Sequence, residues 1–431
     1  MDKWEQQLKK DVNGTLPSSI DQRIEETLRQ LPRKNQRPKL YYGLAIATIA
    51  ILVTSGLSFV SPAFANTMKN LPLIGSAFEF VGNIGVKKGK DEGLSTVQGM
   101  KLEIDGQIIT FTETLYDGGE IHLGYLIESP KNSKPTKFVN SLEFFINSHP
   151  IQNYGIGGKE VKIGKGIYAG TINIHVQDRI PESFKLRIRS TKANASFVEL
   201  PIERKGPNKV FLVNQKKEIE DLTIYYEKVT FFPTSTEISL RVISEEDVAN
   251  DKYMLLNYQL MDEHGRTLQP FSGSGGGSPQ NGKLVQSYKY YYEPLESIPK
   301  SITIKPYLRD KQNSSPIIER QKWEGAKLTL SQGEIGQLTI LQANEKNGVT
   351  TFIYEVEGDD AYKQANSFWL EDAKGNRFDR DQPAERMGST PNQYEVTFSN
   401  MPALENLNIA TVKMSSPHFL ENLDMTIELE K

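Results

Sequence analysis

The sequence contains no cysteine among its 431 residues. This absence excludes disulfide bonds, zinc sites built on thiolates and cysteine nucleophiles. Neither sign of charge is in excess, because 51 lysines and arginines face 54 aspartates and glutamates. The chain therefore lacks the overall basic charge with which nucleic-acid-binding proteins contact phosphates, and we expect no direct nucleic-acid partner.

Motifs for catalysis are also missing. The five histidines are scattered, and neither HExxH nor G-x-S-x-G occurs. The glycine-rich residues 273–277 lack the lysine that completes a phosphate-binding loop, so a flexible loop is the better interpretation. Asp372, Asn376, Asp379 and Asp381 carry oxygen atoms suited to Ca²⁺, but their spacing differs from an EF-hand and favours a solvated turn. We expect no enzymatic activity, no catalytic residue, no metal site and no cofactor.

One stretch near the N-terminus is free of charge between Lys39 and Lys69. Within it, residues 41–60 are mostly apolar, and at ~1.5 Å per residue they span roughly 30 Å, the hydrocarbon thickness of a bilayer. Four lysines and arginines lie between residues 33 and 39, which places the N-terminus in the cytoplasm. We therefore predict one transmembrane helix with its exit over residues 40–65. The chain is then a single-pass protein of the cell membrane with an extracellular C-terminal region.

The same stretch is open to two other interpretations. A buried core helix is disfavoured by its length and by its oriented basic flank. A secretory signal peptide is the stronger alternative, because Ala63, Phe64 and Ala65 form the small-x-small site that signal peptidase requires. However, about 40 residues precede the apolar core, far more than a usual signal peptide carries. We interpret the segment as an anchor with a latent cleavage site.

The predicted cytoplasmic segment, residues 1–39, carries two short amphipathic helical patterns. Trp4 and Leu8 share one face of the first. Two short helices cannot bury their apolar faces against each other well enough to fold alone. The second pattern therefore lies on the inner leaflet or docks in a partner's groove, and its mixed to acidic polar face favours a protein partner. Its apolar side chains, called the partner stripe below, are Ile20, Ile24, Leu28 and Leu31.

Residues 66–96 form a predicted juxtamembrane connector, an apolar run broken by Pro72, Gly75 and Gly82. The sequence leaves two interpretations open: a short helix packed on the next domain, or an element that shields Ala65.

The rest of the chain repeats three times and is rich in strand-forming residues. Each repeat opens with a strand pair and closes with a strand that follows Pro181, Pro299 or Pro402. This spacing gives units of roughly 100 to 120 residues, the size of a sandwich domain, although a chance likeness among β-rich segments is the alternative. We expect a mainly β fold of tandem immunoglobulin-like β-sandwiches, over residues 97–210, 211–324 and 325–431.

Residues 155–170 alternate glycine with lysine and isoleucine. Such a segment could bind an anionic wall polymer, but a basic β-hairpin face is the better interpretation.

The N-terminal third resembles the membrane-anchored anti-sigma factors of Gram-positive bacteria. The resemblance rests on the helix LPSSIDQRIEETLRQLP, the basic flank, the single span, SPAFAN at its exit and the following NLPLIGSAFEFVGN. It implies that residues 1–39 hold an extracytoplasmic-function (ECF) sigma factor inactive, through Trp4, Leu8 and the partner stripe. It also implies that signal peptidase cuts after Ala65 on envelope stress and that an intramembrane protease then cuts within the span.

The resemblance does not extend to the whole family. Many anti-sigma factors carry a zinc motif of histidine and cysteine, which a chain without cysteine cannot form. The C-terminal sensor of the lysozyme-sensing members is also missing, so the extracellular ligand or envelope component stays unnamed.

Two rival functions are weighed against this one. A membrane-anchored cell-surface binding or adhesion protein with immunoglobulin-like domains explains the repeats and the anchor but leaves residues 1–39 without a task. An anchored hydrolase has no catalytic residues to carry it. We therefore expect a membrane anti-sigma factor that acts in signal transduction and transcription regulation through regulated intramembrane proteolysis.

Overall fold

The computed structural model describes one compact unit that falls within residues 62–431. No helix among its described residues is long and apolar enough to cross a membrane, and the predicted span over residues 40–65 lies outside them. The described residues are 76–429 except 105, 130–137, 165, 192–196, 246–251, 254, 310–315, 347, 388–389, 391 and 400.

The fold is mainly β, as the sequence predicts, and its sheets are antiparallel. Among the described residues, six sheets form three pairs, and each pair shares one hydrophobic core. We call these pairs modules 1, 2 and 3. The same residues include three short α-helices: α1 Ala77–Val81, α2 Ile84–Asp91 and α3 Ala361–Ala365.

Module 1 contains a six-stranded sheet in the order β1-β3-β4-β8-β7, with β2 also paired to β3, and a four-stranded sheet in the order β10-β9-β5-β6. Side chains from both sheets meet in its core, among them Phe111, Leu123, Phe144 and Leu186. The strands are β1 Thr96–Val97, β2 Lys101–Ile104, β3 Gln107–Tyr116, β4 Ile121–Glu128, β5 Leu142–Ile146, β6 His149–Pro150, β7 Tyr154–Gly164, β8 Ile167–Val176, β9 Ser183–Ser190 and β10 Phe197–Glu203.

Module 2 begins with a five-stranded sheet in the order β11-β12-β13-β16-β15, and β14 pairs with β17 in its second sheet. Its core includes Ile224 and Leu240 from the first sheet and Leu260 and Ile304 from the second. The strands are β11 Lys209–Ile219, β12 Leu222–Phe231, β13 Thr236–Glu245, β14 Leu256–Asp262, β15 Pro270–Gln280, β16 Lys283–Tyr292 and β17 Ser301–Leu308.

Module 3 pairs a sheet in the order β19-β20-β21-β25-β24 with one in the order β18-β26-β22-β23. Ile340, Phe352, Phe368 and Ile409 meet between them. The strands are β18 Ile318–Lys322, β19 Leu328–Ser331, β20 Gly336–Lys346, β21 Val349–Gly358, β22 Phe368–Asp372, β23 Arg377–Phe378, β24 Glu385–Arg386, β25 Gln393–Ser399 and β26 Leu407–Val412.

The end of the chain returns from module 3 to module 2. Strands β27 His418–Phe419 and β28 Met425–Glu428 both pair with β17. Met425 and Ile427 are buried in the core of module 2, because alternate side chains of a strand share one face. The predicted boundary before residue 325 assigns β27 and β28 to the third repeat, whereas both strands pair with β17 of module 2.

The repeat seen in the sequence has a local structural counterpart. The paired strands β3, β12 and β20 each contain a register shift at a similar place, after Phe111, Tyr226 and Ile340. A β-bulge of this kind adds twist and bends the strand over the core.

One local prediction is wrong. Residues 273–277 are not a flexible loop but lie in β15, paired with β16. A Cβ atom at Gly273 would lie 2.7 Å from the ring of Tyr290, and one at Gly275 would lie 2.2 Å from the ring of Tyr288. The glycines therefore leave space for tyrosine rings across the strand pair.

Candidate functional site: the connector junction

The described part of the predicted connector consists of α1 and α2, and it packs as short helices. Gly82 and Asn83 separate them, and the Asn83 side chain accepts a hydrogen bond of 2.9 Å from the backbone N–H of Val86. This is an N-cap, which satisfies a backbone donor that has no partner within the helix. The local sequence thus specifies where α2 begins.

Helix α1 is buried against the six-stranded sheet of module 1. Ala77 and Phe78 are fully buried. The Glu113 carboxylate on β3 accepts hydrogen bonds of 2.9 Å from Ser76 Oγ and 3.0 Å from the Phe78 backbone N–H. Burial raises the pKa of Glu113, although these two hydrogen bonds act in the opposite direction. A buried acid therefore holds the first turn of the connector.

Helix α2 lies between modules 1 and 2, and its glycines allow the close approach. A Cβ atom at Gly85 would lie 1.9 Å from the carbonyl oxygen of Thr234, in the β12–β13 turn. One at Gly89 would lie 2.7 Å from Thr234 Cγ2 and 2.8 Å from Leu115 Cδ1 on β3. The four-residue spacing places both glycines on one face of the helix. Only a helix without side chains on that face can dock here.

A second buried acid joins modules 1 and 2 beneath α2. The Asp117 carboxylate accepts hydrogen bonds of 3.0 Å from the Thr234 backbone N–H and 2.6 Å from Thr234 Oγ1. A third, of 3.1 Å, comes from the Gly119 backbone N–H. Burial raises the pKa of Asp117, and the hydrogen bond from Thr234 opposes that effect.

A third buried acid completes this interface. Glu120 pairs with His175 of β8 and accepts a hydrogen bond of 2.8 Å from Ser272 Oγ of β15. Burial alone would raise the pKa of Glu120, but the hydrogen bond and charge of His175 lower it overall. Modules 1 and 2 therefore meet through paired, buried polar groups, whose removal leaves an unsatisfied partner.

Module 3 is joined to module 2 by a buried ion pair. Arg386 Nη1 lies 2.7 Å from Glu293 Oε1, and both side chains are only 8% exposed. The same arginine donates a hydrogen bond of 2.6 Å to the backbone oxygen of Thr267 and lies over the ring of Tyr362. The Arg266 guanidinium lies 3.3 Å from the same oxygen, Glu293 Oε1.

Module 3 also contacts the connector directly. Gln382 Nε2 donates a hydrogen bond of 3.1 Å to the backbone oxygen of Phe80 in α1, and its Oε1 accepts one from Lys159 on β7. Lys87 of α2 lies 3.2 Å from Glu385 at a more exposed position. The connector therefore has contacts with all three modules.

A cavity of about 580 Å³ lies at this junction. It is lined by residues of α2 and of all three modules. Five lysines and arginines and three aspartates and glutamates line it, together with several tyrosines and amide side chains. The junction thus combines a tightly packed connector with a polar, aromatic cavity.

The site residues predicted from the sequence lie outside the described residues. Ser76, the first described residue, follows the predicted cleavage site by eleven positions. These predicted site residues are Trp4, Leu8, Ile20, Ile24, Leu28, Leu31, Ala63, Phe64 and Ala65.

Sequence reasoning did not identify the junction residues Glu113, Asp117 and Arg386. One signal was present, namely the glycine pair Gly85 and Gly89 inside an otherwise helical pattern. An isolated glycine in a helix costs ~1 kcal/mol relative to alanine and often marks close packing.

Comparisons with known proteins place two family models on the chain. A domain of unknown function, DUF4179, matches residues 34–129, from the basic flank through β4. A family of unknown function, DUF5643, matches residues 208–341, from β11 into β20. No curated protein matches the chain. A crystal structure described as the conserved domain protein from Bacillus anthracis is similar over 54% of this chain and 83% of its own, at 17% identity and a TM-score of 0.41.

Proposed function

We propose that this chain is a single-pass membrane anti-sigma factor. In this proposal residues 1–39 sequester an ECF sigma factor in the cytoplasm, residues 40–65 anchor the chain, and the three modules lie outside the cell. Envelope stress releases the sigma factor by regulated proteolysis, first by signal peptidase after Ala65 and then by an intramembrane protease. The sequence features of residues 1–65 and the packing of the connector support it.

The observation that carries this proposal is the buried connector that follows the predicted cleavage site. A protease binds its substrate as an extended strand, and Pro62 already ends the helix before Ala63. With α1 docked under Glu113, the chain after Ala65 is tethered to the modules at Ser76. A signal that undocks α1 and α2 removes this tether, so that the protease can bind the chain around Ala65 as an extended strand. In addition, one family model matches residues 34–129 continuously, a range that includes the predicted span, the connector and the first strands.

We further propose that the modules are immunoglobulin-like sandwiches. Each consists of two antiparallel sheets around one core, and each has roughly the 100-residue size of that class. Tandem domains of this kind suit a sensor that receives a signal far from the membrane.

The partner stripe provides the test of sigma-factor binding. Burial of a leucine or isoleucine side chain contributes ~1.5–3 kcal/mol, so Leu28→Asp combined with Ile24→Asp weakens binding at least about tenfold. The measurement is co-purification of the sigma factor with the full chain from membranes.

The control is Gln22→Asp, which adds one negative charge on the opposite face of the predicted helix, against the two that the double substitution adds to the stripe. Unchanged co-purification with the double substitution would exclude the stripe as the binding surface. If no sigma factor accompanies the wild-type chain, the cell-surface binding or adhesion protein becomes the better function.

A further inference from the structure

The junction cavity has the size and composition of a small-molecule site. Ligand pockets usually measure roughly 300–1,000 Å³ and combine aromatic walls with a few polar groups. This one measures about 580 Å³. Nothing in the proposed anti-sigma mechanism uses it, although it lies beside the connector.

Aromatic residues contribute to the lining. Phe271 is partly exposed there, whereas Tyr258, Tyr292, Tyr307 and Tyr362 are 2–6% exposed. Tyr292 Oη is occupied, because it donates a hydrogen bond of 2.9 Å to the backbone oxygen of Tyr258. Tyr258 is 6% exposed, and its own hydroxyl has no hydrogen-bond partner among the described residues.

The charged lining has more positive than negative side chains. The acids Glu293, Asp360 and Glu385 are already paired with Arg386, Arg309 and Lys87. Three further cations, Lys159, Lys363 and Arg380, line the same cavity.

Lys159 and Arg380 repel each other. Burial and the charge of Arg380 lower the pKa of Lys159 to about 8, although the charges of Asp381 and Glu385 act in the opposite direction. Asp379, next to Arg380, is paired with Arg377 at 2.7 Å. An anion placed between Lys159 and Arg380 would relieve this repulsion.

Amide side chains add hydrogen-bonding groups suited to hydroxyls. Gln269 lines the cavity together with Asn173, Gln259 and Gln382, and the last three already have hydrogen-bond partners within the protein. An amide offers both a donor and an acceptor, as a sugar hydroxyl does, whereas the flat faces of aromatic rings pack against the C–H faces of a sugar ring.

We propose that the junction cavity binds a short anionic saccharide, a sugar ring that carries a carboxylate or a phosphate. Phe271 packs on the sugar ring, Gln269 bonds its hydroxyls, and Lys159 and Arg380 hold the anionic group.

Binding at this place also reaches the connector. Gln382 accepts a hydrogen bond from Lys159 and donates one of 3.1 Å to the Phe80 backbone oxygen of α1. A ligand that binds Lys159 in place of Gln382 therefore changes the contact between module 3 and α1. The role of the saccharide as the envelope signal rests on the proposed anti-sigma function, whereas its binding does not.

The test is calorimetric titration of the purified full chain in nanodiscs with N-acetylmuramic acid, a sugar with a carboxylate. Neutral N-acetylglucosamine and inorganic phosphate are titrated in parallel. We expect the acid sugar to bind at least about tenfold more tightly than either, because it alone fills both parts of the site. Arg380→Gln and Lys159→Gln each weaken its binding at least about tenfold, the usual effect of losing a charged hydrogen bond.

Lys374→Gln is the matched control, since Lys374 lies in an exposed turn outside the cavity. A thermal melt of each variant shows whether it is folded. A folded cavity variant that binds the acid sugar as tightly as Lys374→Gln does counts against the proposal. Equal binding by wild type and both cavity variants, or no binding to the wild type, would overturn the proposal. Phosphate binding as tight as that of the sugar would overturn the saccharide part. Since no sigma factor is present, these results stand whether or not the anti-sigma function does.

Discussion

At the scale of single residues, three buried carboxylates hold the connector junction together. Glu113 binds the start of α1, Asp117 joins the modules under α2, and Glu120 pairs with His175. The environments differ, because burial raises the pKa of Glu113 and Asp117, whereas the partners of Glu120 lower its pKa. Each acid therefore has its own dependence on pH.

The Glu113 carboxyl predicts a loss of stability as the pH rises. Its pKa is raised above the ordinary 4.5, so between that value and the folded pKa the folded state binds more protons than the unfolded state. The free energy of unfolding then falls as the pH rises through this window, and the contribution is fully present only below the unfolded pKa. Chemical denaturation at a series of pH values measures it.

Glu113→Gln removes this titration while it keeps an oxygen acceptor for the Phe78 N–H. The free energy of unfolding of the wild type should therefore fall relative to that of the variant as the pH rises from about 4.5. Glu103→Gln, at an exposed position of β2, is the control. Parallel pH profiles for wild type and Glu113→Gln would show that Glu113 does not couple protonation to docking.

At the scale of elements, the strands were predictable and the junction was not. Alternation identified β4, β13 and β21, whose inward residues include Ile121, Ile238 and Phe352. Alternation of this kind involves only a few neighbouring residues of the chain. The junction contacts join residues far apart in the chain, such as Asp117 with Thr234 and Gln382 with Phe80, and no local pattern reports them.

The return of the C-terminal strand was missed for the same reason. Met425 and Ile427 alternate as in any half-buried strand, and the pattern alone does not say which sheet they join. The glycines of β15 were misread because glycine usually marks loops, and only the tyrosine rings across the pair explain them.

Helix α2 allows a direct test of docking. In a free helix Gly85→Ala would gain ~1 kcal/mol from helix propensity. Here the added Cβ meets the Thr234 carbonyl oxygen at 1.9 Å, and overpacking costs ~1–3 kcal/mol. We expect net destabilisation and faster thermolysin cleavage within residues 66–94 of the full chain.

Gly99→Ala is the matched control, because a Cβ at Gly99 has no atom within 4 Å. Cleavage of the Gly85→Ala chain as slow as that of the control would mean that α2 is not held where the junction places it.

At the scale of the whole molecule, the three modules form one compact unit with the connector helices packed into it. In the proposed function, this unit is a sensor outside the cell, and the connector tethers it to the membrane. A signal that loosens the junction then permits cleavage after Ala65, and the sigma factor is released only after that cut.

The central claim is that docking of the connector controls cleavage after Ala65, and an immunoblot of the N-terminal fragment in cells tests it directly. In unstressed cells the account predicts intact wild-type chain and a released fragment from Gly85→Ala. Adding Ala65→Trp, which places a bulky residue where signal peptidase needs a small one, should abolish the fragment in both backgrounds and under envelope stress. Complete cleavage of the unstressed wild type, or equal fragment yields with and without Ala65→Trp, would contradict the account.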